Sequence, residues 1–374
     1  MTKLLIISLL TASLVGDEYD FDMSVVEPDP YEYSGYLRID NKFQKLRQDI
    51  DEYQNYFHSE ALFDFSYFYE ELTFHTSLMA TYDYIDKKPK ESDLPINELY
   101  LEAKLNTNHT LLTGKESLKW GKGYYFNPVA FFDRPKDPAQ PTKSREGFTI
   151  LKYNYNKSFA GDLKNLSFDF VYLPSTKDIN KDYYKLITES EDAHNIAMRL
   201  YLLLYDTDID IIYNYSSVAN EKIGVDFSKN LQVNFEVHGE FAKVINEEYS
   251  YLLGLRYLSD FELTLISEYR FNSKGLDKEE IETSPSIFPF IAKDYLITSL
   301  WQKEPLDILY FSIYYKYTTN IQDYSGQNKF GVNYSFKNNI DADLSYNKNS
   351  GGTLSEFGKK PVSDFIWLQM TWKY

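Results

Sequence analysis

Cysteine is absent from all 374 residues, which excludes a disulfide framework, a cysteine-borne lipid anchor and any thiolate chemistry. Long apolar runs are scarce as well. After the N-terminus no stretch approaches the ~20 apolar residues of a membrane-spanning helix, and a mean hydropathy of -0.47 is too polar for a bundle of such helices. Basic charge is in deficit: a net charge of -17 disfavours nucleic acid as a partner, because phosphate binding needs a basic surface. The five histidines (His58, His75, His109, His194, His238) stand singly without the spacing of a metal site, so no metal and no cofactor is expected. No serine sits in a recognisable nucleophile motif, and the chain reads as a non-enzyme.

Tyrosine and phenylalanine are abundant, 35 and 26 residues, and both favour strands and membrane-interface girdles. They fall in a strict alternation. In 231–241, Leu231, Val233, Phe235, Val237 and Phe241 interleave with Gln232, Asn234, Glu236, His238 and Glu240, giving one apolar and one polar face. The same pattern recurs in 166–172, 261–271 and 330–336. Such segments match the about 9–11 residues of a tilted membrane-spanning strand, longer than the ~5–6 typical of soluble sheets. Strands are predicted near 33–43, 61–70, 73–85, 96–105, 108–117, 147–156, 163–173, 194–205 and 208–217 in the first half. In the second half they are predicted near 221–228, 231–242, 248–258, 261–272, 294–303, 307–318, 326–337, 340–347 and 364–374. The total, about eighteen, is even, as single-chain barrels require.

The connections alternate too. Those after even-numbered strands are tight, with Asn, Asp, Gly, Ser or Pro as turn residues, whereas most after odd-numbered strands are long (44–60, 86–95, 118–146, 174–193, 273–293, 348–363). Short turns at one end and long loops at the other are the asymmetry of an outer-membrane barrel, and the phase puts both termini on the periplasmic side. The expected fold is therefore all-β: a transmembrane antiparallel β-barrel of about 18 strands, with a long loop folded into its lumen. Residues 1–16, with Lys3 ahead of an apolar run and small residues, read as a signal peptide for export to the outer membrane of a Gram-negative cell. Residues 17–32 read as an acidic periplasmic leader, and 33–374 as the barrel.

A ring of that size leaves an aqueous lumen unless something fills it, and 118–146 is the longest candidate. Four prolines (Pro128, Pro135, Pro138, Pro141) rule out regular structure over its second half, while its aromatics argue against disorder. It carries six basic residues against three acidic ones, a positive island in an acidic chain. The expected pore constriction is Trp120, Lys122, Tyr124, Arg134, Lys136, Lys143 and Arg145. The expected lumen wall is mixed: Glu98, Glu102, Arg199, Glu236, Glu240, Arg256, Glu268 and Arg270, with Asp169, Asp210, Glu262, Lys104, Lys152, Lys316 and Lys329 also inward. The basic loop serves selectivity in one reading and is pinned to the acidic wall by ion pairs in the other.

Trp120-Gly121-Lys122-Gly123 followed by Asn127-Pro128 resembles the first long loop of some poorly characterised porin-like outer-membrane families of Proteobacteria, over roughly 108–173. The last strand, with Ile366, Leu368, Met370, Trp372 and terminal Tyr374 at every second position, resembles the closing strand that barrel-assembly machinery recognises in bacterial outer-membrane proteins. Together these imply a porin-type channel for passive or weakly selective diffusion of small hydrophilic solutes, set among lipid bilayer and lipopolysaccharide. The alternative is a plugged barrel that binds, tethers or exports surface polysaccharide. The strands are the same in both; oligomeric state and solute are left open.

Overall fold

A sheet closed on itself pairs every backbone N–H and C=O without leaving an edge, and the alternating segments of this chain close in that way. The computed structural model describes residues 29–47, 53–86, 88–183, 192–286 and 290–374. The first strands are β1 (Tyr31–Leu46), β2 (Tyr53–Tyr69), β3 (Leu72–Ile85), the three-residue β4 (Glu91–Asp93), β5 (Ile96–Asn106), β6 (His109–Glu116), β7 (Phe148–Ser158), β8 (Leu163–Ser175) and β9 (Ala193–Leu204). They continue as β10 (Thr207–Ser216), β11 (Lys222–Gln232), β12 (Phe235–Val244), β13 (Tyr249–Leu258), β14 (Leu263–Asn272), β15 (Asp294–Lys303), β16 (Phe311–Asn320), β17 (Gly326–Phe336), β18 (Ile340–Ser350) and β19 (Val362–Lys373). Apart from β4, which only flanks β3 at Thr81–Asp83, each strand pairs antiparallel with its neighbours in chain order. The ring closes where β1 meets β19, with Ile39 opposite Met370. The barrel has eighteen strands, as the alternation predicts.

Apolar residues at alternate positions face outward and are exposed, among them Ile39, Leu101, Ile211, Val225, Leu253 and Ile366. Tyr33, Tyr67, Tyr257, Tyr334, Phe336 and Trp372 are exposed near the short turns, the place of an interface girdle. The polar set of each strand faces inward, where Asp169, Asp210, Asp226, Glu240 and Glu268 are buried. The C-terminus is tied into the closure: Tyr374 N donates to Gly35 O at 3.1 Å, and Gly35 N to Tyr374 O at 3.2 Å.

Three expectations are corrected. First, 44–60 is not a long loop. β1 runs on to Leu46 and β2 starts at Tyr53, with Lys42 opposite Tyr56 and Phe43 stacked on Tyr53 at 5.0 Å. Asn41 and Ser59 on the outer face break the apolar signal there. Second, the segment at 231–242 begins too early. Leu231 and Gln232 end β11, and Val233 sits at full exposure in the turn, not mid-strand on the outer face. A two-residue turn conserves odd–even phase, so the alternation of β11 runs unbroken into β12 and hides the join. Third, Glu262 is not inward. It occupies the turn before β14 with φ of 62° and approaches Lys303 at 3.7 Å. β1 begins at Tyr31, two residues ahead of the expected barrel start, and 1–16 with most of the leader lie outside the described residues.

Candidate functional site

Between β6 and β7 the chain leaves the wall and crosses the lumen, and its entry is fixed by the tryptophan–glycine motif. Gly121 has φ of 97°, a left-handed conformation that a side chain strains, and a Cβ on it would lie 2.8 Å from Glu240 Oε1. At Gly123 a Cβ would meet Phe126 O at 1.9 Å. Without side chains at these points the backbone lies close against two wall carboxylates. Glu240 of β12 accepts from Lys122 N (2.7 Å), Gly123 N (2.6 Å) and Val129 N (3.2 Å). Glu268 of β14 accepts from Tyr124 N and from Tyr125 N (2.9 Å). Charge-assisted bonds of this kind are the stronger class, each contributing about 1.5–3 kcal/mol.

Glu268 is itself positioned. His238 Nε2 lies 3.0 Å from it, and a Cβ on Gly254, between the two in the sheet, would fall 2.0 Å from that nitrogen. Gly254 therefore opens the path across the strand. Within the loop, Asp133 accepts from Lys119 N (3.0 Å) and Trp120 N (2.9 Å), and Asn127 Nδ2 donates to Trp120 O (3.3 Å). Trp120, Val129 and Phe132 bury against Leu112, Ile150, Val171 and Ile212 of the wall, and Tyr125 and Phe126 against Leu252, Tyr295 and Ile297. Burial pushes the Tyr124 and Tyr125 phenols above their ordinary range, with Glu236 adding to the shift at Tyr124.

Beneath this root lies an acidic strip. Asp210, Asp226 and Glu240 are directly opposite one another on β10, β11 and β12, and Lys122 Nζ approaches Asp210 at 2.8 Å and Asp226 at 3.8 Å. Arg199 meets Asp169 at 2.6 Å and lies over the Trp120 ring at 5.2 Å. Among the described residues no group of three or more His, Asp or Glu is arranged to hold a metal ion.

The second half of the loop turns to the opposite wall. Lys136, Pro141, Thr142, Lys143, Ser144 and Arg145 line one side of a cavity of about 1030 Å³ whose other side is β1, β2, β15 and β17–β19. Six cationic side chains line it (Arg38, Lys119, Lys136, Lys143, Arg145, Lys373) and one carboxylate, Asp341. Three further carboxylates stand behind: Glu60, which takes Arg38 at 2.5 Å and Lys143 at 2.9 Å, Asp40, 3.7 Å from Arg38, and Glu98, 3.9 Å from Lys119. The balance stays positive. Lys136 bonds Gly123 O, and Arg145 donates to Arg134 O at 2.5 Å. Burial lowers the Lys136 ammonium below the usual lysine range, against the pull of Glu240.

Of the seven residues expected at the constriction, Lys136, Lys143 and Arg145 reach this cavity. The others face elsewhere: Trp120 is 3% exposed in the packed root, Lys122 is on the acidic strip, and Tyr124 OH donates to Glu236 at 3.1 Å. Arg134 pairs with Glu146 at 2.9 Å and Asp182 at 3.2 Å. On the wall, Arg256 lies opposite Glu236, Arg270 sits 5.3 Å over Phe126, and Glu98 accepts from Ser117 N at 3.2 Å. Glu102 shares the inner face of β5, Lys104 follows it toward the turn, and Lys152 bonds Glu116. Sequence reading missed Arg38, Asp40 and Lys42, which sit at the polar phase of the expected first strand, and Glu60, which fell in the misplaced loop at 44–60. It also missed Asp226, which sits at the polar phase of β11, and the pairing of His238, whose partner is 30 residues away.

No protein-family model matches this chain, and none of the curated proteins does. Solved structures do. Pseudomonas aeruginosa OccK11 (OpdR) aligns over 92% of this chain and 95% of its own with a TM-score of 0.57 at 11% identity. A substituted Rh. blastica porin aligns over 92% of this chain and 100% of its own, with a TM-score of 0.51 at 10% identity. The fold is that of a porin. At these identities the likeness extends to the porin-like barrel and its long-range connectivity alone, and the residues above must carry any statement about passage.

Proposed function

We propose that this porin-like barrel is an outer-membrane channel, without enzymatic activity, for passive diffusion of small hydrophilic solutes. Its pore is narrowed by 118–146 and biased toward anions. The observation that carries the reading is the positive cavity between the second half of the loop and the β1–β19 wall, because charge in a narrow low-dielectric neck focuses the field on what passes. The apolar outer face suits lipid and, at the long-loop end, lipopolysaccharide. Export by 1–16 and recognition of the closing strand ending at Tyr374 by assembly machinery complete the localisation.

The test is single-channel conductance and reversal potential of the refolded protein in a planar bilayer, wild type against deletion of 139–142. This deletion spares Phe132 and the bonded root, so the barrel and loop anchor stay intact. A stable conductance that rises on deletion, with a reversal potential favouring anions, is the expected result. A silent bilayer from a folded barrel overturns the channel and supports the plugged polysaccharide-binding alternative.

A further inference from the structure

At the short-turn end of the barrel the turn tips differ from one arc to the next. β2–β3, β5–β6 and β7–β8 carry Glu70 and Glu71, Thr107 and Asn108, and Gly161 and Asp162; β9–β10 pairs Tyr205 with Asp206, and β17–β18 carries Lys337, Asn338 and Asn339. The three turns between, β11–β12, β13–β14 and β15–β16, carry Val233, Phe261, and Leu306 with Leu309. Val233 is fully exposed, Leu306 93%, Phe261 65% and Leu309 62%. The longest of these turns, 304–310, is also strained. Glu304, Leu306, Asp307 and Tyr310 have φ of 48°, 58°, 57° and 64°, left-handed conformations that favour glycine. A leucine held there and turned out into water is disfavoured both by its backbone and by its exposure.

Hydrogen bonds join the three turns into one frame. Asn234 Nδ2 donates to Leu258 O and Leu258 N to Asn234 O, each at 2.9 Å, tying the first turn to the second. Gln302 Nε2 donates to Phe261 O at 2.6 Å, tying the second to the third. In the third, Tyr310 N donates to Glu304 Oε1 at 3.2 Å, and Tyr310 O accepts from Ser335 N of β17 at 3.0 Å. The tips also keep the outward phase of the strands that follow them. Val233 leads to Phe235 and Val237, Phe261 to Leu263 and Leu265, and Leu309 to Phe311 and Ile313. No polar residue interrupts these series, so the tips are continuous with the outer apolar band. Exposed Lys303 and Lys337, with exposed Asp260 and Asp307, flank them with both signs of charge.

We propose that the turns at 233–234, 259–262 and 304–310 form a lipid-docking surface that enters the periplasmic leaflet, with its tips among acyl chains and its charges among zwitterionic headgroups. A partner protein or a second copy would cover the tips without needing the unbroken apolar phase behind them. A leaflet meets tips and band together. There an outward leucine is no longer penalised for exposure, headgroup phosphates meet the lysines, and headgroup ammonium groups meet the aspartates. The barrel then sits deeper along β11–β16 than along β2–β10, which inclines its axis to the membrane normal. This surface uses the membrane placement of the barrel and is independent of whether the barrel conducts.

The chain has no cysteine, so Leu306→Cys, Phe261→Cys, Asn108→Cys and Leu253→Cys each create a single labelling site. Each variant is spin-labelled and refolded into phosphatidylethanolamine–phosphatidylglycerol liposomes. Collisions of the label with oxygen, which concentrates in the bilayer, are compared with those of a water-soluble nickel chelate present on both sides. Labels at 306 and 261 are expected to favour oxygen several-fold more than the label at 108, approaching the label at 253 on the outer band. A label at 306 as open to the chelate as that at 108 overturns the surface. So does a label shielded from both reagents, which marks contact with protein. An open label at 253 defeats the membrane placement itself, and the docking surface falls with it. In a Val233→Cys background, Leu306→Asn with Phe261→Asn is expected to move the label toward the chelate while the barrel still resists heat in detergent; an unmoved label overturns a jointly inserted surface.

Discussion

The two halves of the lumenal loop carry similar charge and do opposite things. From 120 to 129 the backbone gives five N–H groups to Glu240 and Glu268, and its lysine, Lys122, points into the acidic strip. From 136 to 145 Pro138 and Pro141 carry no N–H, and neighbouring N–H groups bond within the loop itself, Ala139 N to Asp137 Oδ1 at 2.8 Å, Gln140 N to Asp137 O at 3.0 Å and Lys143 N to Gln140 O at 3.1 Å. That stretch is held chiefly through side chains: Lys316 Nζ on Pro138 O, Asn97 Nδ2 on Ser144 Oγ at 3.2 Å, and Lys143 on Glu60. Its remaining cations face the cavity. The contrast separates anchoring from selectivity: basic residues near an acidic wall are structural in one half and line the path in the other.

The largest effect should come from removing the anchor. In the double variant Glu240→Ala, Glu268→Ala, five donors lose their acceptor, and buried donors left unsatisfied cost about 1–3 kcal/mol each. The loop is expected to leave the wall, seen as a several-fold rise in conductance with added current noise and as new protease cleavage within 118–146, while the barrel still resists heat in detergent. Gly123→Ala should reproduce this in milder form, because its Cβ collides with Phe126 O. Unchanged conductance and cleavage in the double variant would mean that aromatic packing alone holds the root.

A smaller and more specific effect is expected from charge reversal. Lys143→Glu with Arg145→Glu should move the reversal potential in a KCl gradient toward cation preference. Lys122→Glu should leave the potential near wild type and instead loosen the root, since it adds a fourth carboxylate to Asp210, Asp226 and Glu240. Equal shifts from both would erase the division between the halves.

How much of this was legible beforehand follows from what alternation encodes. Facing is a local, period-two property, so Asp169, Glu240, Glu268, Lys316 and Lys329 could be placed inward from sequence. Strand ends are encoded by turns, and where a turn conserves phase, as at Val233 and Asn234, the pattern carries no mark of it. Within the loop there is no period at all. The division between Lys122 on the wall and Lys143 on the passage depends on which carboxylate, more than eighty residues away in either case, lies across the lumen. Gly121 and Gly123 were the one local signal of the anchor, since two glycines flanking a single residue allow a backbone approach that side chains forbid.

The smallest predicted effect tests the passage half by titration. An exposed lysine loses its proton near pH 10.4. Lys136 sits in the cavity lining with its ammonium disfavoured by burial, so its folded-state pKa lies lower and its charge disappears earlier as pH rises. Anion preference is therefore expected to begin falling in the alkaline range below pH 10.4, and Lys136→Gln should flatten that early part of the curve while lowering preference modestly at pH 7. Lys136 also donates to Gly123 O, the residue at the centre of the anchor, so loss of its charge weakens a tie between the two halves. If current noise rises over the same pH interval in which preference falls, the passage half leans on the anchored half through this one ammonium. If preference falls with noise unchanged, Lys136 acts on the solute alone and the halves are mechanically independent.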